Sequence, residues 1–136
     1  MENEGITPKE KAKILVVDDS LILREFMETV LLSYGYSCVC VEDGLAAINL
    51  LRNESFDMVI SDIEMPRLNG FELLSHVKNK YPETKIIMIS GKYRPDGTLH
   101  DGFSIKDAHH FLAKPFSVHL LLSTVSSVLI DPDPHR

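Results

Sequence analysis

A chain of 136 residues that is 44% hydrophobic and 25% charged has enough apolar mass for one domain with a buried core and leaves little room for a second. Its net charge of −6 argues against binding nucleic acid through the phosphate backbone, which needs a basic face. No apolar run approaches the ~20 residues of a membrane span or the core of a secretory signal, so the expectation is a soluble, cytoplasmic protein whose partners are proteins or a metal ion, with no membrane and no direct nucleic-acid contact.

Residues 1–12 read as a flexible, polar lead-in containing Pro8. Ile14-Leu15-Val16-Val17 is an unbroken β-rich run, as expected of a central parallel strand covered on both faces, and it stops at Asp18-Asp19-Ser20. Ser20 is a good N-cap for a helix whose inward stripe is Leu23, Phe26, Met27, Val30 and Tyr34, with Gly35 closing it. Ser37 to Val41 is a second strand, in which Cys38 and Cys40 fall on one face as reduced, packed thiols. Asp43 caps a helix from Gly44 to about Asn53 that buries Ala47, Ile48 and Leu51.

The apolar run Met58 to Ile60 is short enough for a buried third strand and ends on Asp62; Pro66 and Asn69-Gly70 then break the chain before a helix over residues 69–80. That helix turns Leu73, Leu74 and Val77 inward and is ended by Tyr81-Pro82. Lys85 to Ile89 is a fourth strand running into Ser90-Gly91. Between Lys92 and Asp107 the turn signal Pro95-Asp96-Gly97 and the weakening effect of Gly102 predict a short or irregular fourth helix. His110 to Ala113 is the fifth strand and leads to Lys114-Pro115. Ser117 caps a closing helix with Val118, Leu121, Leu122, Val125 and Leu129 inward, and residues 131–136 form a tail.

Five strands alternating with helices through right-handed crossovers predict an α/β fold, a parallel sheet with helices on both faces. In such a sheet the C-terminal strand ends share one edge, where ligands bind. Asp18, Asp19, Asp62, Ser90 and Lys114 all fall there. Three carboxylates at close range either shift a pKa upward or recruit a cation, and an all-oxygen donor set suits Mg²⁺. With the negative potential lowered, one carboxylate can attack a phosphoryl group, Lys114 serving as a point charge and Ser90 as a hydrogen-bond donor to its oxygens. Asp62 is the candidate reacting residue and an aspartyl phosphate the product. Taken singly, each acid reads as a solvated loop residue; their shared position favours function. His109 and His110 point opposite ways, and His76, His100, His119 and His135 lack ligand spacing and read as surface residues.

Asp18-Asp19-Ser20 after ILVV, Asp62 followed by Met65-Pro66 and Gly70, Ser90 after IIMI, and Lys114-Pro115-Phe116 together resemble the receiver domain of bacterial two-component response regulators, over residues 13–130. The resemblance implies a flavodoxin-like fold with strand order 2-1-3-4-5. It also implies a stand-alone phosphoacceptor that takes a phosphoryl group onto Asp62 from a sensor histidine kinase or histidine phosphotransfer protein and signals to a downstream protein target. Such a protein is not an enzyme beyond catalysing its own phosphorylation and dephosphorylation. Mg²⁺ would be held by Asp19, Asp62 and the backbone carbonyl of Glu64, and by Asp18 mostly through water. Ser90 and Lys114 would hold the phosphoryl oxygens, the Lys114-Pro115 bond would be cis, and Ser90 and Phe111 would be the switch pair. Phe111 lacks the hydroxyl of the commoner tyrosine, so its signal would be a packing change. Glu64 and Lys92 flank the site as candidates for tuning hydrolysis. Asp107 replaces the family's usual glycine before Ala108, and the segment from Ser90 to Lys114 is longer than the pattern, which sets the fourth helix and the usual output face apart. Two alternatives stay open: a phosphate-independent, pseudo-receiver binding module, and a phosphohydrolase of the haloacid dehalogenase type. The latter needs an acid two residues after its nucleophile, where Asp18 has Ser20.

Overall fold

The apolar runs become a five-stranded sheet in the computed structural model, which describes residues 12–91 and 108–130. The elements are β1 (Lys13–Val17), α1 (Leu21–Ser33), β2 (Ser37–Val41), α2 (Gly44–Asn53), β3 (Met58–Asp62), α3 (Gly70–Lys80), β4 (Lys85–Ser90), β5 (His110–Ala113) and α4 (Val118–Ile130). All strand pairs are parallel and the order is β2-β1-β3-β4-β5. The expected lead-in over residues 1–11, the short or irregular helix within 92–107 together with Lys92, His100 and Asp107, and the tail over 131–136 with His135 lie outside the described residues.

Each central strand is apolar on both faces because helices cover both, and the alternation of side chains divides the core in two. Ile14 and Val16 of β1, Ile60 of β3 and Ile87 and Ile89 of β4 pack with Met27, Val30 and Leu31 of α1 and with Leu121, Val125 and Leu129 of α4. On the other face Leu15, Val17, Val59, Ile86 and Met88 pack with Ala47 and Leu51 of α2 and with Leu73, Leu74 and Val77 of α3.

Helix starts are fixed by side-chain caps. Leu23 N–H donates to Ser20 Oγ at 3.2 Å, and Ala46 N–H to Asp43 Oδ1 at 2.9 Å. At α3 the Asn69 side chain accepts from Glu72 N–H at 3.0 Å while Glu72 accepts from Asn69 N–H at 2.9 Å, a reciprocal capping box. Gly35, at φ 91°, closes α1 as expected.

Three expectations about burial are corrected. Tyr34 is not on the inward stripe: α1 stops at Ser33, so Tyr34 is its C-cap and is 62% exposed, while Leu31, one turn after Met27, takes the buried place. Val118 opens α4 before the helix reaches the sheet and stays exposed, and Thr124 and Val128 are buried instead. His76 is half-buried rather than on the surface, its ring 5.9 Å from that of Tyr81 and its buried Nε2 without a hydrogen-bond partner among the described residues. The thiols of Cys38 and Cys40 are free, as expected, and lie half-buried on one face with their sulfurs 3.8 Å apart.

Candidate functional site

Strand register assembles the site. Val17 of β1 is paired with Ser61 of β3, so the next residues, Asp18 and Asp62, emerge side by side. Asp62 is level with Ile89, one step short of Ser90, and Ser90 is level with Ala113, one step short of Lys114. Backbone bonds extend this order past the strand ends: Ile63 N–H donates to the Ile89 carbonyl at 3.0 Å and Lys114 N–H to the Ser90 carbonyl at 2.9 Å. All five residues expected at this edge are therefore brought together, and the Lys114-Pro115 bond is cis.

Asp18 is 0% and Asp62 is 3% exposed, whereas Asp19 faces solvent. Single ligand oxygens of the three lie within 4.8 Å of one another. Lys114 Nζ donates to Asp62 Oδ2 at 3.1 Å and stands 3.6 Å from Asp18 Oδ2, an ion pair too long for a hydrogen bond. Asp62 Oδ1 accepts from Glu64 N–H at 3.3 Å. Asp18 Oδ1 accepts from Ser20 N–H at 2.8 Å, and the Arg24 guanidinium donates to the Asp18 carbonyl at 2.8 Å.

These placements leave the acids uneasy. Burial pushes the Asp18 carboxyl above its ordinary range; the Ser20 N–H pulls it back and the charge of Asp62 adds to the rise. Burial likewise pushes Asp62 up, against the pull of the Lys114 ammonium. Burial draws Lys114 down, but the bond to Asp62 and the charge of Asp18 outweigh it and its net shift is upward. One ammonium thus serves two buried carboxylates. Asp18 Oδ2 is buried and accepts no hydrogen bond from the described residues. An orphaned carboxylate oxygen beside two further acids, with oxygen donors only, fits a hard divalent cation such as Mg²⁺.

Ser90 is wholly buried, and its hydroxyl donates to Glu64, with Oγ 3.1 Å from Oε1 and 3.0 Å from Oε2. Phe111 is half-buried and level with Met88, on the face that alternation assigns to Ser90 as well. A cleft of about 360 Å³ bounded by Asp19, Glu64, Met65, Pro66 and Phe71 adjoins the acids. A larger cleft of about 710 Å³, lined by Phe56, Asp57, Tyr81 and Thr84, lies at the opposite edge, where β3 and β4 begin, and takes no part in this chemistry. Ser20, two residues after Asp18, uses its hydroxyl as the α1 cap and supplies no acid for phosphohydrolase chemistry.

The loop between β3 and α3 is held by contacts that its sequence does not advertise. Arg67, at φ 67°, forms an ion pair with Asp43, the cap of α2. Gly70 N–H donates to the Ile63 carbonyl at 2.9 Å, and a Cβ on Gly70 would stand 2.4 Å from the Asp62 carbonyl oxygen. The glycine thus allows α3 to start directly against the strand end that carries Asp62.

Residues 14–126 match the family model of the response regulator receiver domain. The chain is 33% identical over 115 residues to the response regulator protein FleR of Pseudomonas aeruginosa, covering 85% of this chain and 24% of that protein. It spans about a quarter to a half of the length of the curated relatives it matches. Among solved structures, the chemotaxis response regulator CheY4 of Vibrio cholerae superposes with a TM-score of 0.77 at 31% identity, covering 87% of this chain and 98% of that one. The response regulator TrrA of Thermotoga maritima, solved with Mg²⁺-BeF, superposes at 0.75 with 29% identity over 86% of this chain and 98% of TrrA; it has also been solved in complex with the histidine kinase ThkA.

Proposed function

This chain belongs to the response regulator receiver domain family, whose members are signalling phosphoacceptors, and from that membership we propose that Asp62 accepts a phosphoryl group from a histidine kinase or histidine phosphotransfer protein. The observation that carries the proposal is Asp62 itself: a buried carboxylate at a strand end, between the Lys114 ammonium at 3.1 Å and the acids Asp18 and Asp19. An Asp62 carboxylate oxygen attacks phosphorus, an O–P bond forms, and the P–N bond to the donor imidazole breaks, its electron pair leaving on nitrogen. The ammonium of Lys114 holds phosphoryl oxygens by charge, and the Ser90 hydroxyl donates to one of them.

Asp19, Asp62 and the backbone carbonyl of Glu64 would hold Mg²⁺, with Asp18 bound through water, and the ion would supply positive charge against the phosphoryl oxygens. Support comes from the orphaned Asp18 oxygen and from the Mg²⁺-BeF complex of TrrA. The ThkA complex of TrrA supports a kinase partner of the same class. Movement of Ser90 toward the phosphoryl group, with repacking of Phe111, would carry the signal to a protein target. Among the described residues no helix is long and apolar enough to cross a membrane, and the reading places the protein in the cytoplasm with its kinase's catalytic domain.

Intact mass after incubation with Mg²⁺ and acetyl phosphate tests the assignment. The expected result is a gain of one phosphoryl group that is lost without metal and lost in Asp62→Asn, a variant that removes the nucleophile and little volume. Labelling of Asp62→Asn to the wild-type level would refute the assignment to Asp62. No labelling of the wild type under any condition would instead favour a phosphate-independent binding module.

A further inference from the structure

Cys38 and Cys40 take no part in the site at the strand ends. They sit on β2, the outermost strand of the described sheet, on the face against which α1 packs, and both are free and half-buried. Their sulfurs stand 3.8 Å apart, and Cys40 Sγ also reaches the Arg24 carbonyl of α1 at 3.7 Å. Thiols are weak donors, so these contacts hold their protons loosely.

The spacing suits a bridging ion better than a bond between the sulfurs. Alternate residues of an extended strand stand roughly 6.6 Å apart, at the far end of what a disulfide spans, and the sulfurs would have to close by about 1.8 Å to reach the disulfide length. An ion bonded to each sulfur at about 2.3 Å, a usual metal–thiolate length, closes a triangle on the 3.8 Å base with an angle of about 110° at the metal. Neither sulfur has to move. Thiolates select soft ions, Cu(I) and Zn²⁺ among them. Zn²⁺ asks for four ligands, and among the described residues no third His, Cys, Asp or Glu brings a ligand atom within 4.8 Å of both sulfurs. Cu(I), soft and content with few ligands, is the ion that remains.

We propose that Cys38 and Cys40 form a two-thiolate chelate for Cu(I) at the outer edge of the sheet. Each S–H releases its proton to the buffer, each sulfur uses the electron pair left behind to form one bond to the ion, and no electron is transferred. α1 shields the inner side of the pair, and the edge position leaves the outer side open for the ion to enter. The site stands apart from Asp62 and does not depend on phosphoryl chemistry.

The test titrates the folded protein, without oxygen, against Cu(I) held by the chelator bicinchoninate, using the wild type, Cys38→Ser, Cys40→Ser and the double serine variant, each checked for its fold by circular dichroism. The wild type is expected to take one copper per chain without a change in its size on gel filtration. Each single variant should bind more than about 100-fold more weakly, since disturbing only the supports of a ligand already costs up to that much. X-ray absorption on the copper-loaded wild type needs no variant and should show both sulfurs bound to the ion. Equal binding by either single variant or by the double variant would overturn the chelate. Copper held by nitrogen and oxygen alone, or copper that binds only by joining two chains, would overturn it as well. A wild type that binds Zn²⁺ as tightly as Cu(I) would overturn the choice of ion, and one that takes no copper from the chelator would leave the two thiols as packing groups and end the proposal.

Discussion

Replacing Gly70 by alanine should damage the protein at the strand end that carries Asp62. The new Cβ would lie 2.4 Å from the Asp62 carbonyl oxygen, 2.7 Å from Ile63 Cα and 2.9 Å from Met88 Cε. The Met88 methyl sits on a flexible chain and can swing away. The other two atoms are backbone, and an ordinary carbon–oxygen contact of about 3.3 Å requires α3 and the end of β3 to separate by roughly 1 Å. That separation works against the 2.9 Å bond from Gly70 N–H to Ile63 and against the capping box at Asn69. Overpacking of this kind costs about 1–3 kcal/mol, and the better helix propensity of alanine returns at most about 1 kcal/mol. Urea denaturation should therefore show a loss of about 1–2 kcal/mol, with a fall in Tm of roughly 5 °C. Because Asp62 moves with its carbonyl, phosphorylation from acetyl phosphate should slow by about tenfold or more even where the protein is fully folded. Gly91→Ala is the control: among the described residues the nearest atom its Cβ would meet is Lys114 Cβ at 3.8 Å, an ordinary contact. Equal stability of the two alanine variants would refute the close approach as the cause.

Lys114→Met should leave Asp18 and Asp62 buried without the ammonium that faces both of them. Breaking a fully buried pair costs ~3–5 kcal/mol; with the Lys114 side chain 30% exposed, a loss of about 2–3 kcal/mol is expected by urea denaturation, and no loss would count against the ammonium as the shared counter-charge. Asp43→Ala removes both the α2 cap and the partner of Arg67, for a loss of about 1–2 kcal/mol, while Asp43→Asn keeps the cap. The Ala46 N–H, and then Arg67, hold the Asp43 carboxyl below its ordinary range. Its stabilisation is thus present above the unfolded value and is lost as pH falls through the lower folded one. The stability gap between wild type and Asp43→Asn should shrink below about pH 4, and a gap that widens there would contradict the sign. Burial, and then the charges of Lys80 and Arg52, push His76 below its ordinary pKa. The neutral ring is the folded form, so stability should be full above about pH 6.5 and decline as pH falls; His76→Phe should flatten that decline in thermal melts, and an unchanged slope would remove His76 as its cause.

The strands are legible in the sequence because helices cover both faces of the sheet, which turns ILVV, MVI and IIMI into unbroken apolar runs that stop where the chain leaves the core. The same stops place Asp18, Asp62, Ser90 and Lys114 at one edge. Ser20 and Asp43 can be read as caps from residue type alone, and the spacing of Asn69 and Glu72 carries the signal of the capping box found at α3. What stays hidden depends on rotamers and on partners distant in sequence. Nothing near Glu64 indicates that its carboxylate turns to Ser90, 26 residues on, and nothing near Arg67 points to Asp43. Helix length decides one departure in burial: a stripe drawn through Tyr34 runs one residue past Ser33, where α1 ends.

The ion pair between Lys114 and Asp62 joins residues 52 positions apart, and the same ammonium reaches back to Asp18 at the end of β1. Strands from nearly every part of the domain must already be in register before those three groups meet. Under the assignment proposed above, no partly folded chain would hold Asp62 ready to react, so the uptake of phosphoryl groups would count natively folded molecules. Heat, mutation or proteolysis that empties the native population would then lower that uptake in proportion, whatever the donor.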